Sequence, residues 1–437
     1  LVVRARDVDE VLRVAQACVR QRAPLTVRGG GTGNYRQCVP LHGGVSLDIT
    51  ALNRVLRIDS GWASVQAGVL IHDLNRAARA MGQQLCMYPS TERLATLGGF
   101  IAGGHSGIGS MRHGILADPG NVRRLRVVTL QDPPRLLDLH AADIQKVHHA
   151  YGSNGIIVEV DVALTPALDW QHTIALFDGY DAVLHFGLAA AALSLEGTPR
   201  PAEPAVPRGD LRNPAKPDLL RSARELDIFQ LSAVERRITP YYQGLRDRLE
   251  DADAMFAQVS PQTLPRYEAL VGALGGRVVV RGSEDELIAA GLPSVTECAY
   301  NHTTLEALKS DRGVTYLQVA YPAPLDPALV ARQMQRFGDE VLMHHEFSRS
   351  GGALVAFALP LVMYFDASQL DSLKRSFELD GCSIFDPHTW VVEDGGMKQV
   401  DAAQLAFKKQ ADPLGLMNPG KLRAWDEHVL GRPGGQL

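Results

Sequence analysis

Two glycine-rich tracts hold the residue types of this 437-residue chain best suited to gripping a ligand. The first, Arg28 to Asn34, reads RGGGTGN. Gly29, Gly30, Gly31 and Gly33 let the backbone approach a ligand closely and take φ > 0 where required. Successive N–H groups in such a loop can form an anion nest, and Thr32 and Asn34 add side-chain donors, so a diphosphate is the natural guest. A tight surface turn is the plainer alternative. The second tract, TLGGFIAGGHSGIGSMRHG from Thr96 to Gly114, sets seven glycines among His105, Ser106, Ser110 and Arg112. In all, 16 of the 41 glycines fall between Gly29 and Gly114. Glycine at this density costs chain entropy, which close contact with a flat or phosphorylated ligand would offset.

Two familiar nucleotide motifs fail. G-x-G-x-x-G would need glycine where Asn34 stands. Gly415 to Leu422 approaches the P-loop pattern, but Leu422 replaces the hydroxyl that would meet Mg²⁺, and Pro419 removes a donor. His344-His345-Glu346 lacks the spacing of a metal-binding helix, and adjacent residues usually point apart, so no metal is expected.

The elements that must position these tracts can be read from periodicity. Val8, Val11, Leu12, Ala15 and Val19 predict a helix with Asp7 as its N-cap. PLTVR predicts a strand feeding the first tract; further strands are expected at 46–50, 55–59, 64–68, 122–130 and 156–164, with a helix from Ile71 to Met81. Six prolines in 199–217 suggest an extended connector, and the tail GRPGGQL is expected to fray. The charge balance of −5 offers no field for nucleic acid. No apolar run approaches the roughly 20 residues of a membrane span. Five scattered cysteines and an opening without a signal-peptide pattern favour reduced thiols and a cytoplasmic setting.

The succession RGGGTG, Pro-Ser-Thr, the Thr96–Gly114 tract and GSNGIIVEVDVALTP resembles the vanillyl-alcohol-oxidase (PCMH-type) FAD-binding family over residues 1–166. DPLGLMNPGKL resembles the segment that returns to the FAD domain after the cap domain in that family. TECAYNHTTLEALK and FDPHTWVVEDGGMK look like segments of bacterial FAD-linked oxidases of unassigned substrate. The resemblance implies an α+β chain. Residues 1–166 would form an FAD domain of two α+β subdomains, 167–400 an α+β cap, and 401–437 the returning segment. Gly29 to Asn34 would wrap the pyrophosphate. Pro89, Ser90, Thr96, Gly98, Gly99, Gly103, Gly104, Ser106, Gly107 and Gly109 would line flavin and diphosphate. Gly155, Ile156 and Val158 would touch the cofactor by backbone, and Asn418 and Lys421 would meet its flavin end. His105 would either face the flavin or bond a phosphate. Covalently flavinylated relatives carry His where this chain has Thr32, or Cys where it has Glu92, so FAD is expected to be non-covalent. LQDPPRLLDL (130–139) departs from the family's Asp-Gly turn and predicts a longer or differently bent loop.

Hydride acceptance belongs to the cofactor; the protein must supply a base, anchors and a dry pocket. Among the 14 histidines, His302 in YNHTT and His388 in DPHTW are the first candidates, with Tyr300 and Glu393 as neighbours able to hold a substrate hydroxyl or tune a base. Arg112 could clamp a carboxylate or serve as an ordinary salt-bridge partner. The resemblance favours oxidation of a small alcohol or 2-hydroxy acid, with electrons passed to O₂ or a carrier protein. Sugar or aromatic alcohols are the alternative, and a non-catalytic flavin-binding subunit is the third reading. A homodimer stays open.

Overall fold

Parallel pairing of short strands opens the chain. The computed structural model describes residues 1–34, 36–194, 225–295, 298, 300 and 302–428; the Pro-rich 199–217 and the tail GRPGGQL lie outside them. Strands β1 (Val2–Arg4), β2 (Leu25–Arg28) and β3 (Val45–Asp48) form a three-stranded sheet in the order β1-β3-β2. The helix Val8–Arg20 buries Val11, Ala15 and Cys18, and Asp7 caps it by accepting from the Glu10 amide at 2.8 Å. This matches the spacing of its apolar residues.

The second sheet has the order β4-β5-β9-β7-β8, from strands Val55–Asp59, Trp62–Gln66, Ile156–Pro166, Val122–Val128 and Leu136–His140. Strand β6 (Gln83–Leu85) pairs with the far end of β9, and the helix Ile71–Arg79 precedes it. One core cluster runs through both sheets, from Val11 and Leu25 to Val158 and Val160. The LQDPPRLLDL segment closes the β7–β8 hairpin, with Thr129 Oγ1 accepting from the Arg135 amide at 2.8 Å. Its Asp132 reaches Arg20 at 2.9 Å, tying the hairpin to the first helix.

The second glycine tract is more regular than a loop. Leu97–Gly103 is helical, with Thr96 as N-cap accepting from the Gly99 amide at 3.3 Å, and Ser110–His113 forms one further turn. Glycine here serves packing: a Cβ on Gly98 would sit 2.6 Å from the Ala67 Cβ. That close approach offsets the helix-weakening entropy of glycine.

The cap is built on an eight-stranded antiparallel sheet ordered β13-β10-β12-β11-β17-β18-β15-β20. These strands are Arg277–Gly282, Gln171–Phe177, Asp253–Val259, Ile228–Val234, His344–Ser350, Ala353–Ala358, Gln318–Ala320 and Ser383–Phe385. A small sheet joins β14 (Val314–Tyr316), β19 (Leu361–Met363) and β16 (Val341–Leu342). Helices Tyr180–Ala192, Leu264–Ala273, Pro327–Phe337 and Ala367–Leu379 pack on one face, with Phe347, Leu231 and Met255. Strand alternation separates the two adjacent histidines. His345 Nδ1 meets the Tyr180 hydroxyl at 2.8 Å on that face, while His344 pairs with Glu346 at 3.8 Å.

Residues 402–422 return to the N-terminal sheets after the cap. Met417 bridges Leu25 in parallel, the Leu25 amide donates to Leu416 O and the Asn418 amide to Leu25 O, both at 2.8 Å. Among the described residues no helix is long and apolar enough to cross a membrane, and no group of three or more His, Cys, Asp or Glu could hold a metal ion.

Candidate active site

A cavity of about 540 Å³ lies where the glycine tracts meet the cap. That is within the size range of ligand pockets. The first tract lines it with Gly30, Gly31, Thr32, Gly33 and Asn34. Pro89, Ser90, Thr96, Gly98, Gly99, Gly103, Gly104, His105, Ser106 and Gly155 also line it. The cap contributes His302, Tyr316, Gln318 and His388, with Leu305, Leu308, Leu359 and Pro387. Two predicted catalytic candidates therefore share one cavity with most of the predicted cofactor residues.

Seven predicted cofactor residues stand off the cavity, each for a physical reason. Gly29 is packed against Thr96, whose Oγ1 would be 2.1 Å from an added Cβ. Gly107 and Gly109 serve close packing on the Cys86–Tyr88 segment: added Cβ atoms would lie 2.5 Å from Tyr88 O and 2.2 Å from Cys86 O. Ile156 and Val158 bury their side chains in the core, while Ile157 between them lines the cavity. Asn418 and Lys421 brace the first tract from behind. Asn418 Nδ2 donates to Gln37 O and Lys421 Nζ to Arg36 O, each at 2.8 Å. Burial pushes the Lys421 amine down to about 8.

Two catalytic candidates are also displaced. Tyr300 lies in a buried cluster with Ile108, Trp170 and Phe229. Burial, with nearby Glu346, holds its phenol well above the ordinary tyrosine range. Glu393 caps the C-terminal helix, its two oxygens accepting from the Arg423 and Ala424 amides at 3.1 and 3.0 Å. Arg112 pairs with Asp227 at 2.8 Å across the domain boundary. Glu92 faces His72 at 3.6 Å, outside the cavity lining.

His302 is the N-cap residue of the helix Thr303–Leu308, which places it at the cavity wall. His388 stands on the turn after β20; its backbone N–H donates to Asp386 at 2.8 Å, and its Nε2 lies 3.0 Å from Tyr316 O. His105 packs edge-on to Phe357 at 5.5 Å and tilted to Phe385 at 5.8 Å. Loss of solvent pushes its imidazole down to about 4, so it is neutral near pH 7. Sequence reading missed Tyr151, Tyr316, Gln318 and Met397 on the lining. Tyr151 carries a trace of signal: it adjoins the GSNG motif.

The lining suits a nucleotide cofactor. Nine glycines and the hydroxyls of Thr32, Ser90, Thr96 and Ser106 border it, and the described lining residues include no Asp or Glu. A diphosphate would meet donors without carboxylate repulsion.

Residues 1–132 match the family described as an FAD binding domain. Residues 1–132 thus carry a PCMH-type FAD-binding domain like that of FAD-linked oxidoreductases. FAD is thus the cofactor of this flavoprotein. Glycolate oxidase subunit GlcD of Bacillus subtilis is 30% identical over 191 residues, 41% of this chain and 40% of that protein. D-lactate dehydrogenase of Anaerostipes hadrus is 28% identical over 181 residues, 38% and 36% of the two chains. The match thus spans about two-fifths of these two relatives. Glycolate oxidase subunit GlcD of Escherichia coli is 26% identical over 96% of this chain and 83% of that protein. Among solved structures, an alkyldihydroxyacetonephosphate synthase shares the fold with a TM-score of 0.66 at 14% identity, covering 96% of this chain and 75% of that one.

Proposed function

We propose that this FAD-linked oxidoreductase oxidises a small alcohol or 2-hydroxy acid, passing the electrons to O₂ or to a carrier protein. One observation carries the reading: a single cavity has glycine tracts on one wall and two imidazoles, His302 and His388, on the cap wall. Gly30 to Asn34, Ser90, Thr96 and Ser106 would hold the FAD without a covalent bond, since Thr32 and Glu92 occupy the linking positions. FAD, when bound, supplies a hydride acceptor.

The chain's own task is the proton. An alcohol must lose its hydroxyl proton as hydride leaves carbon, and a base within hydrogen-bond reach accepts it. A carbonyl oxygen can only accept, so the 3.0 Å contact with Tyr316 O assigns the ring proton of neutral His388 to Nε2. Nδ1 is left with a lone pair for the substrate hydroxyl. His302 would position that hydroxyl from the neighbouring helix N-terminus. The names of the Bacillus and Escherichia relatives, with identities of 30% and 26%, support hydroxy acids as substrates, and the word subunit in both supports a partner protein.

The test is anaerobic mixing of the yellow, full-length protein with a panel of 2-hydroxy acids and of alkyl, sugar and aryl alcohols. Loss of flavin absorbance with one class supports the reading. A flavoprotein that no member bleaches, and that co-purifies with a second protein, would replace it with the non-catalytic subunit.

A further inference from the structure

Asn34 of the first glycine tract and Arg36 just beyond it cross to the cap and grip the surroundings of His388. Asn34 Nδ2 donates to the Tyr316 hydroxyl at 2.6 Å. The backbone carbonyl oxygen of Tyr316 accepts from His388 Nε2 at 3.0 Å. The two rings also meet edge-on, with centroids 6.2 Å apart. Two residues beyond His388, the Trp390 ring lies under the Arg36 guanidinium at 5.7 Å. The tract is itself fixed from behind by Lys421 and Asn418 on the carbonyls of residues 36 and 37. His388 thus sits on an exposed turn between two cap residues, each held by the loop that lines the cofactor cavity.

An exposed imidazole on a turn would otherwise rotate and exchange its two neutral tautomers. Ordering it costs side-chain entropy, which contacts must offset. A ligand that orders Asn34 and Arg36 therefore orders the ring as well, and by linkage an ordered ring favours that ligand. We propose that Tyr316 is a positioning residue that couples occupancy of the glycine tract, through Asn34, to the aim of His388. The Arg36–Trp390 contact is a second brace on the same turn. This rests on the cavity being the FAD site and on His388 being the proton acceptor.

The test uses the full chain labelled with ¹⁵N in the histidine rings, with the His388 signals identified by their loss in His388→Gln. Expected in the parent is a single Nε2–H tautomer whose signals change when FAD is added. In Tyr316→Phe, which loses the hydroxyl but keeps the carbonyl, the FAD-dependent change should disappear while the Nε2–H tautomer remains. Asn34→Ala should give the same spectrum, and the double variant should be no worse than either single one. With a substrate that bleaches the flavin, kcat should fall roughly 10- to 100-fold at nearly constant KM. Parent-like His388 signals in Tyr316→Phe would overturn the coupling, as would effects of the two substitutions that multiply. Asn34→Ala carries the test alone if Tyr316→Phe does not fold. The spectra need no turnover: a protein that oxidises nothing but shows the FAD-dependent His388 signals sinks only the proposed activity. Normal turnover with FAD-insensitive His388 signals sinks only the coupling.

Discussion

At the scale of single residues, the proposed chemistry concentrates on His388. Its ring is held at Nε2 by a backbone carbonyl, so removing the side chain leaves the cavity wall and the FAD-binding tracts in place. His388→Ala is expected to stay yellow and to be reduced by substrate about 10²- to 10⁴-fold more slowly, the usual worth of a positioned base. Stopped-flow flavin absorbance measures this; a rate within twofold of the parent would remove His388 from the reaction. The glycines divide by a similar test. A Cβ on Gly103 meets only the Gln37 side chain at 3.2 Å and up, and the residue lines the cavity. Gly103→Val should therefore lose FAD while keeping its circular dichroism spectrum. Gly109 has φ 104 and would place a Cβ 2.2 Å from a backbone oxygen. Gly109→Ala should instead lower the melting temperature, with about 1–3 kcal/mol from the backbone strain alone. Unchanged FAD content in Gly103→Val would move the cofactor away from this helix.

At the scale of elements, what was legible in the sequence followed how local the cause was. Asp7 and the apolar spacing of 8–19 act within one helix, and that helix forms as expected at Val8–Arg20. The second tract could not be read as helix because propensity argues against glycine there. The force that overrides it, packing of Gly98 on Ala67, comes from the turn just after β5, far back in the chain. Tyr316 gave no signal, since its value lies in contacts with Asn34 and His388, both distant in the chain. Glu393 misled for the opposite reason. Its acidic side chain beside VVEDGG looked catalytic, yet it completes the N-terminus of the helix Arg423–His428. Glu393→Ala should cost about 1 kcal/mol, as other lost caps do. Denaturant melts would show that loss, with flavin reduction within twofold of the parent; a hundredfold slower reduction would return Glu393 to the chemistry.

At the scale of the whole molecule, the cavity exists only while the cap stays docked on the N-terminal domain. Several of the contacts that dock it lie beside the second tract. The Gly109 amide donates to Phe229 O at 3.1 Å, the Tyr88 and Phe229 rings meet with centroids 6.1 Å apart, and Asp118 accepts from the Gly351 amide at 3.1 Å. Arg112 and Asp227 form the charged member of this set, with side chains 19% and 10% exposed. Burial lifts the Asp227 carboxyl above its ordinary range, and Arg112 brings it only partly back. The pair therefore recovers less than its desolvation costs, although either partner alone would be worse. Asp227→Leu should destabilise the docked fold by about 3–5 kcal/mol, because the Arg112 charge is left buried. Arg112→Met with Asp227→Leu should recover most of that loss. Urea melts followed by flavin fluorescence, which reports opening of the cavity, would measure both. If the double variant melts no later than Asp227→Leu, the ion pair itself, and not packing along the boundary, holds the cap in place.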